Sequence, residues 1–172
     1  MNTLIIYGSQ YGTTKRYAEK FAEMMHFPVI SYEDIKTLAD YERIIYFGAL
    51  YAGGVKGLKN TVKKLSPNTK LIIVTVGLAD VCDQENISNI RNSIRKQVPE
   101  HLLKAASVFH LRGGIDYSKL NFKHRTMMKM LYHSLKSKPD ESLTQEDKIF
   151  IETYNKKVDF VDYDSLKQIA EL

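Results

Sequence analysis

A six-residue stretch rich in glycine and hydroxyl side chains separates the first apolar run of the chain from the first helical pattern. Its residues are Ser9, Gln10, Tyr11, Gly12, Thr13 and Thr14. The backbone N–H groups of such a turn, together with the free N–H groups and dipole of the following helix, favour a bound phosphate. The hydroxyls add neutral hydrogen-bond donors, and Gly12 allows the backbone to approach a ligand closely. The stretch therefore predicts a phosphate-binding loop. A well-capped helix start without a ligand is the alternative.

The motifs of several other classes of site are absent from the sequence. No lysine followed by serine or threonine closes the loop, as a P-loop requires, and there is no G-x-G-x-x-G dinucleotide pattern. The predicted first and third strands end in "YGS" and "FGA", without the acidic residues of a phosphoacceptor receiver domain. Neither a Ser-His-Asp elbow nor a His/Cys metal spacing is present. We therefore predict no catalytic side chain and no metal, as expected if a cofactor carries the chemistry.

Strand and helix patterns alternate along the first part of the chain, and this alternation places the loop at a strand-to-helix turn. The predicted strands are Thr3–Tyr7, Pro28–Tyr32, Arg43–Phe47, Leu71–Val76 and Ser107–Leu111. Most are continuous apolar runs, typical of strands buried on both faces, and the proline favours an edge position for the second. Amphipathic patterns predict helices over Thr14–Met25, Lys56–Leu65 and Glu85–Val98. The pattern predicts an α/β domain with a doubly wound parallel sheet, whose ligands bind at the carboxyl ends of the strands.

Length, composition and charge limit the class of protein. A chain of 172 residues with 44% hydrophobic residues fits one globular domain, residues 1–172. The single cysteine, Cys82, excludes an intrachain disulfide and fits a reducing compartment. Neither a signal peptide nor a membrane-spanning segment is visible, so we expect a cytoplasmic protein. The net charge of +5 favours an anionic substrate, a membrane surface or nucleic acid as partner, unless it only keeps the surface soluble.

The predicted phosphate loop resembles that of flavodoxins, whose pattern is (Ser/Thr)-x-Thr-Gly-x-Thr. Ser9, Gly12 and Thr14 match this pattern, whereas Tyr11 replaces the central threonine. A tyrosine recurs here in flavodoxin-like oxidoreductases outside the group of small electron carriers. The resemblance implies FMN as the cofactor. It also implies a flavodoxin-like five-stranded parallel sheet with the strand order 2-1-3-4-5.

Two further loops border the flavin ring in flavodoxin-like proteins, and the resemblance assigns both to this sequence. The loop after the third strand contributes Ala49, Leu50, Tyr51, Ala52, Gly53 and Gly54. Tyr51 is expected to stack on the isoalloxazine, and the Gly53–Gly54 peptide is expected to flip with the redox state because glycine tolerates positive φ. The loop after the fourth strand contributes Val76, Gly77 and Leu78 by position. Taken alone, each loop also fits an ordinary turn.

A basic segment, Gly113–Lys138, follows the fifth strand and is predicted to contain a helix over Leu120–Leu135. Apolar residues recur there at helical spacing and basic residues lie between them, so the helix has one apolar and one basic face. Such a helix can lie on an anionic membrane surface or pack on its own domain. Beyond it, the pattern predicts a helix that starts near Ser142 or Thr144, a strand over Val158–Val161 and a last helix over Tyr163–Leu172.

The segment "LRGGIDYSKLNFKHRTMMKML" is similar to the one that follows the fifth strand in flavodoxin-like, menaquinone-dependent protoporphyrinogen dehydrogenases. In that family, FMN accepts hydrogen from a tetrapyrrole and passes electrons to a membrane quinone. Protoporphyrinogen carries propionate groups, so the resemblance implies basic substrate anchors. The candidates are Arg112, Lys119, Lys123 and Arg125. Peripheral contact with the inner face of the membrane through residues 119–138 is also implied.

Three functions fit the sequence. The first is an FMN oxidoreductase of the protoporphyrinogen-dehydrogenase-like type, which the basic charge and the basic segment favour. The second is a flavodoxin-like electron-transfer protein that serves a redox partner, although small flavodoxins of that kind are typically acidic. The third is a non-enzymatic module that binds another anion. None of them involves nucleic acid.

Overall fold

The central sheet contains the five predicted parallel strands in the predicted order. The computed structural model describes residues 1–172. Its sheet strands are β1 (Thr3–Gly8), β2 (Val29–Ser31), β3 (Arg43–Tyr51), β4 (Gly54–Val55), β5 (Lys70–Gly77) and β6 (Ser107–Arg112). The path through the sheet is β2-β1-β3-β5-β6, with parallel neighbours throughout, and the short β4 pairs antiparallel with the end of β3. The flavodoxin-like doubly wound sheet is therefore confirmed, with β5 and β6 as the fourth and fifth parallel strands.

Burial on both faces of the sheet explains why the strands are continuous apolar runs. Ile5 of β1 pairs in register with Ile45 of β3, which pairs with Ile72 of β5, and all three side chains are buried in the same core cluster. The next residues along these strands, Ile6, Tyr46 and Ile73, are buried in a second cluster. Because successive side chains point to opposite faces, a sheet covered on both faces needs apolar residues at consecutive positions.

Helices cover both faces of the sheet. They are α1 (Thr13–Met25), α2 (Leu58–Val62), α3 (Gln84–Arg95), α4 (Glu100–Ala105), α5 (Phe122–Lys136), α6 (Gln145–Thr153) and α7 (Lys167–Ala170). Side chains of α1 and α7 belong to the cluster around Ile5, and side chains of α2, α3 and α4 to the cluster around Ile6. Helix α4 was not predicted, because its six residues are too few to show a helical period. None of these helices has both the length and the apolar composition needed to cross a bilayer.

The chain after β6 folds differently from its prediction. A three-residue strand, β7 (Gly114–Asp116), follows β6 directly and pairs antiparallel with β8 (Lys157–Asp159). No strand was predicted at β7, because three residues give no readable alternation and the partner strand lies far along the chain. The strand predicted over Val158–Val161 corresponds to β8. In place of one last helix, a 3-10 turn over Tyr163–Leu166 leads into α7.

A third core joins α5 and α6 to the loops of the sheet. Its buried residues are Ile115, Tyr117, Leu120, Met128, Leu135, Leu143 and Phe150. The predicted basic helix is present as α5, and the Asn121 side chain caps its start by accepting from the His124 N–H at 2.8 Å. Tyr11 and Leu78, from the first and third predicted cofactor loops, pack against this core. The basic segment therefore folds onto the ligand-binding edge of the sheet.

Candidate functional site

A cleft of about 710 Å³ lies between the loops at the carboxyl ends of β1, β3 and β5 and the helices α5 and α6. All the predicted cofactor-binding residues except Ser9 and Gly12 line it. The opposite wall is apolar and comes from the two helices, with Met127, Leu131 and Leu135 from α5 and Phe150 from α6. A cleft of this size and lining is typical of a site for a small molecule or cofactor.

The phosphate loop leaves the start of α1 free to bind an anion. Gly12 is the N-cap residue of α1 and has φ of 95°, a left-handed conformation that glycine adopts without strain. Its N–H donates to Ser9 Oγ at 3.1 Å, which fixes the turn. The N–H groups in the first turn of a helix have no intrahelical acceptor. No side chain caps α1, so these N–H groups are available to a ligand. A phosphate would satisfy these donors and would interact favourably with the helix dipole.

Gln10 connects the phosphate loop to two other parts of the chain. Lys56 Nζ donates to Gln10 Oε1 at 2.5 Å, and Gln10 Nε2 lies 3.0 Å from His124 Nε2 on α5. A lysine can only donate, so the amide oxygen of Gln10 faces Lys56 and the amide NH2 group of Gln10 faces His124. His124 Nε2 is then the acceptor. Neither Lys56 nor His124 was predicted to belong to the site, because no local pattern relates them to Gln10.

Tyr11, the departure from the flavodoxin pattern, packs the phosphate loop against α5. Its hydroxyl lies 3.7 Å from the sulfur of Met128, and its ring meets the His124 ring edge-on at 6.1 Å. Burial, and to a smaller extent the neighbouring Tyr51, raise the pKa of Tyr11 to about 12. The hydroxyl is therefore neutral at physiological pH. The threonine that Tyr11 replaces is too short to make this contact with α5.

The second cofactor loop is a tight hairpin between β3 and β4. Its two turn residues, Ala52 and Gly53, have φ of 51° and 75°, the positive values that a two-residue hairpin turn requires. The Gly53 carbonyl accepts from the Ser93 hydroxyl at 2.7 Å. The redox-linked flip predicted for the Gly53–Gly54 peptide would break this hydrogen bond, and it stays a prediction. Tyr51 precedes the turn with its ring 6.0 Å from Lys56 Nζ.

The third cofactor loop holds a carboxylate that no sequence pattern indicated. Glu146, in the first turn of α6, accepts from the Ala79 N–H at 2.9 Å and from the Leu78 N–H at 3.3 Å. Burial raises the pKa of Glu146, and this effect outweighs the two hydrogen bonds and the nearby Arg112, which lower it. In the sequence Glu146 looks like an ordinary acidic residue at a helix start, and it lies 68 positions from Leu78.

The four predicted substrate anchors do not line the cleft. Arg112 donates from Nε and Nη2 to the Leu78 carbonyl at 3.0 and 2.8 Å, and its guanidinium stacks 3.8 Å from the Phe160 ring centre. These contacts hold the third loop, and a role of Arg112 as a substrate anchor stays a prediction. Lys119, Lys123 and Arg125 are exposed on the surface of the basic segment. Lys138, at the end of that segment, lines the cleft instead.

Comparison with known proteins identifies the family. A model of the flavodoxin domain matches residues 4–142. The chain belongs to the flavodoxin domain family. Among solved structures, it is similar to a flavoprotein from Lactobacillus acidophilus NCFM in complex with FMN, with 13% identity, a TM-score of 0.42 and coverage of 64% of this chain and 91% of that one. A cysteine-to-alanine mutant of flavodoxin from Pseudomonas aeruginosa gives 16% identity, a TM-score of 0.38 and coverage of 78% and 96%. No curated protein matches the sequence significantly.

FMN is the cofactor of this flavodoxin-like flavoprotein, and the donors of the site fit it. The uncapped start of α1 would hold the phosphate, and there is open space above Gly12, where an added side-chain carbon would meet no heavy atom within 4 Å. Leu50, Tyr51 and Leu78 offer apolar surface for the ring. Contact of the individual loop residues with FMN stays a prediction.

Proposed function

We propose that this flavodoxin-like protein is an FMN-dependent oxidoreductase of the protoporphyrinogen-dehydrogenase-like type. It would oxidise an anionic substrate in the cleft and pass the electrons through FMN to a quinone or similar acceptor. The observation that carries the proposal is the second wall of the cleft, formed by Met127, Leu131 and Leu135 of α5 and Phe150 of α6. An electron carrier needs only an exposed flavin edge, whereas this wall encloses apolar space beside the cofactor loops.

The charge of the chain supports an anionic substrate. The net charge is +5, and a field of this sign raises the local concentration and association rate of an anion. Lys138 lines the cleft between α5 and α6 and is the cation best placed to meet a substrate carboxylate there. The three exposed basic residues Lys119, Lys123 and Arg125 contribute to the same field from outside the cleft.

The chain's own residues would bind and orient both molecules. The first loop holds the phosphate of FMN, while Tyr51 and Leu78 border the ring. The apolar wall from α5 and α6 would pack against a largely apolar substrate and displace water from it. FMN supplies the redox chemistry by accepting the electrons of the substrate.

Surface contact through the basic segment is part of the proposal. The outer surface of α5 exposes 87% of Phe122 and 69% of Met130 beside Lys123 and Lys129. Apolar side chains flanked by lysines are typical of helices that lie on anionic bilayers, where a quinone acceptor would be dissolved. We therefore propose peripheral contact with the cytoplasmic membrane face through residues 119–138.

An electron-transfer protein without its own substrate is the second candidate. The tip of the β3–β4 hairpin, Ala52 and Gly53, is exposed beside the predicted ring site. A redox partner could approach the flavin edge there.

The test is anaerobic oxidation of protoporphyrinogen by FMN-loaded protein with a menaquinone analogue, followed by porphyrin fluorescence. We expect a rate well above autoxidation that needs both FMN and quinone. Leu131→Lys, in the apolar wall, should reduce turnover with FMN still bound. Ser134→Lys is the control because Ser134 is exposed on the same helix and does not line the cleft. No rate above autoxidation at any quinone concentration would refute the enzyme, and retained electron transfer to a redox protein would support the second candidate.

A further inference from the structure

We propose that Glu146 is the proton acceptor for the substrate in the cleft. This inference rests on the proposed oxidoreductase function. It gives the site an acid–base group, which no sequence pattern indicated.

Glu146 has the placement that such a group needs. Its side chain extends from the first turn of α6 to the third cofactor loop, where the N–H groups of Ala79 and Leu78 orient both carboxylate oxygens. The residue also lines the cleft between the cofactor loops and the apolar wall. Each carboxylate oxygen has more than one acceptor position, so these two hydrogen bonds leave acceptor capacity for a substrate proton.

The loop leaves space for this carboxylate. A side-chain carbon on Gly77 would lie 2.5 Å from Glu146 Oε1 and 2.6 Å from Leu50 Cδ1. Any larger residue at position 77 would therefore displace Glu146 or Leu50. Gly77 does not have positive φ, so close approach rather than backbone conformation explains the glycine.

No cation neutralises Glu146 directly. No lysine, arginine or histidine nitrogen lies within 4.0 Å of its oxygens, and the nearby Arg112 guanidinium is bound to the Leu78 carbonyl and stacked on Phe160. Burying an ionisable carboxyl without an ion pair is unfavourable. A glutamine could accept only one of the two hydrogen bonds, whereas the carboxylate accepts both and is also able to take up a proton.

The other titratable groups that line the cleft are less suited to accept a proton. Tyr51 is predicted to stack on the flavin ring. The Tyr11 hydroxyl is neutral and lies against the Met128 sulfur. Asp147 Oδ2 accepts from the Thr144 N–H in the capping box of α6. Lys138 is a cation that would bind a substrate carboxylate.

The surroundings of Glu146 shift its pKa in both directions. Burial raises the pKa of Glu146, and the adjacent Asp147 adds to this effect, while the hydrogen bonds from Ala79 and Leu78 and the charge of Arg112 lower it. The net pKa lies above that of a free glutamate, nearer the pH at which a general base works well. Lys138 lines the same cleft and adds positive charge near its opening.

The step balances with FMN as the oxidant. A C–H bond of the substrate would break, and FMN would supply the oxidising power by accepting this hydrogen with its electron pair. With a porphyrinogen as substrate, a pyrrole N–H bond would break as its proton forms an O–H bond with Glu146. The products are a substrate oxidised by two electrons, reduced FMN and a neutral Glu146, which returns its proton to water.

The test compares Glu146→Gln with Glu152→Gln, an exposed glutamate on the same helix that does not line the cleft. The rate of FMN reduction by anaerobic substrate is measured in single turnover from about pH 5 to pH 9, with FMN binding as a check. We expect the wild-type rate to fall as the pH decreases through the pKa of Glu146. Glu146→Gln should bind FMN normally, lose roughly 10²- to 10⁴-fold in rate and lack this acidic limb. Glu152→Gln should match the wild type.

Infrared difference spectra provide a readout that needs no substrate. The wild type should show a protonated carboxyl band that titrates above the range of a free glutamate and is absent from Glu146→Gln. Wild-type rate and pH dependence in FMN-loaded Glu146→Gln would overturn the role of Glu146 alone. Failure of every porphyrinogen, quinol and nicotinamide donor to reduce the FMN of the wild type would overturn the proposed function as well.

Discussion

Gln10 of the phosphate loop and His124 of α5 are joined by a hydrogen bond, with their Nε2 atoms 3.0 Å apart. The same glutamine accepts from Lys56 at the base of the β3–β4 hairpin. One side chain therefore connects the phosphate loop, the second cofactor loop and the basic helix that walls the cleft. The predicted phosphate loop therefore shares one hydrogen-bonded side chain with α5.

Replacement of His124 by phenylalanine should loosen α5 from the phosphate loop. The ring can still meet Tyr11, but the hydrogen bond to Gln10 is lost, which destabilises the contact by about 0.5–1.5 kcal/mol. Hydrogen–deuterium exchange should rise in α5 and stay unchanged in α1. His133→Phe is the matched control, since His133 is exposed on the same helix. Equal exchange in the two variants would show that the Gln10 contact does not hold α5.

Replacement of Gly12 by aspartate should weaken FMN binding more than replacement by alanine. Both variants place a side chain at φ of 95° and share the backbone strain. The difference between their FMN affinities therefore reports the effect of the carboxylate alone. The carboxylate would repel the phosphate by about 1–4 kcal/mol and compete for the N–H groups of α1. Isothermal titration of the apoprotein with FMN measures the difference. Equal affinities of the two variants would mean that the phosphate lies elsewhere.

Replacement of Gly77 by alanine should destabilise the third loop by about 1–3 kcal/mol, as overpacking does. The added carbon would meet Glu146 Oε1 and Leu50 Cδ1. Gly53→Ala is the comparison, because no heavy atom lies within 4 Å there and only the φ of 75° is unfavourable. Urea unfolding should show a larger loss for Gly77→Ala, with FMN affinity reduced. A smaller loss than for Gly53→Ala would contradict the close packing.

Stability should decrease in acid because of His110. Burial, and to a smaller extent Arg91, lower the pKa of His110 to about 4, whereas an unfolded histidine titrates near 6.5. The unfolded chain therefore binds more protons between these values, and the stability contributed by neutral His110 is present above about 6.5 and lost as the pH falls towards 4.

His110→Asn tests this titration. The asparagine can keep a polar contact with Thr75, whose Oγ1 lies 2.7 Å from His110 Nδ1, but it does not titrate. In urea unfolding, the free energy of unfolding should fall less from about pH 7 to about pH 5 for the variant than for the wild type. His101→Asn, at an exposed position, should behave like the wild type. The same loss in all three proteins would exclude His110 as the cause.

The outer surface of α5 should bind anionic vesicles. Phe122→Ser/Met130→Ser removes the exposed apolar side chains and should reduce co-sedimentation with phosphatidylglycerol-containing vesicles. Met24→Ser, an exposed methionine on α1, is the control. Binding should fall with salt because the lysines beside Phe122 and Met130 contribute. No wild-type binding to anionic vesicles at low salt would refute the membrane contact.

Local patterns were sufficient to predict the strands of the sheet, and they also predict the phosphate loop. Continuous apolar runs report strands buried on both faces, and their alternation with amphipathic helices restricts the topology. The phosphate loop lies within six consecutive residues, Ser9–Thr14, so its glycine and hydroxyls are readable without a fold. The resemblance to flavodoxins added the strand order and FMN, and the strand order, the flavodoxin family and FMN are confirmed. The protoporphyrinogen-dehydrogenase-like branch stays a proposal.

Only the tertiary structure decided which distant side chains enter the cleft. His124 reaches Gln10 across 114 positions and Glu146 reaches Leu78 across 68, while Arg112 turns to the Leu78 carbonyl and not to the cleft. The pattern of an amphipathic helix fixes which of its faces is buried, but not which loop that face covers. The packing of α5 and α6 on the third core fixes that choice, because burial of Met128, Leu135 and Phe150 brings both helices over the carboxyl ends of the strands.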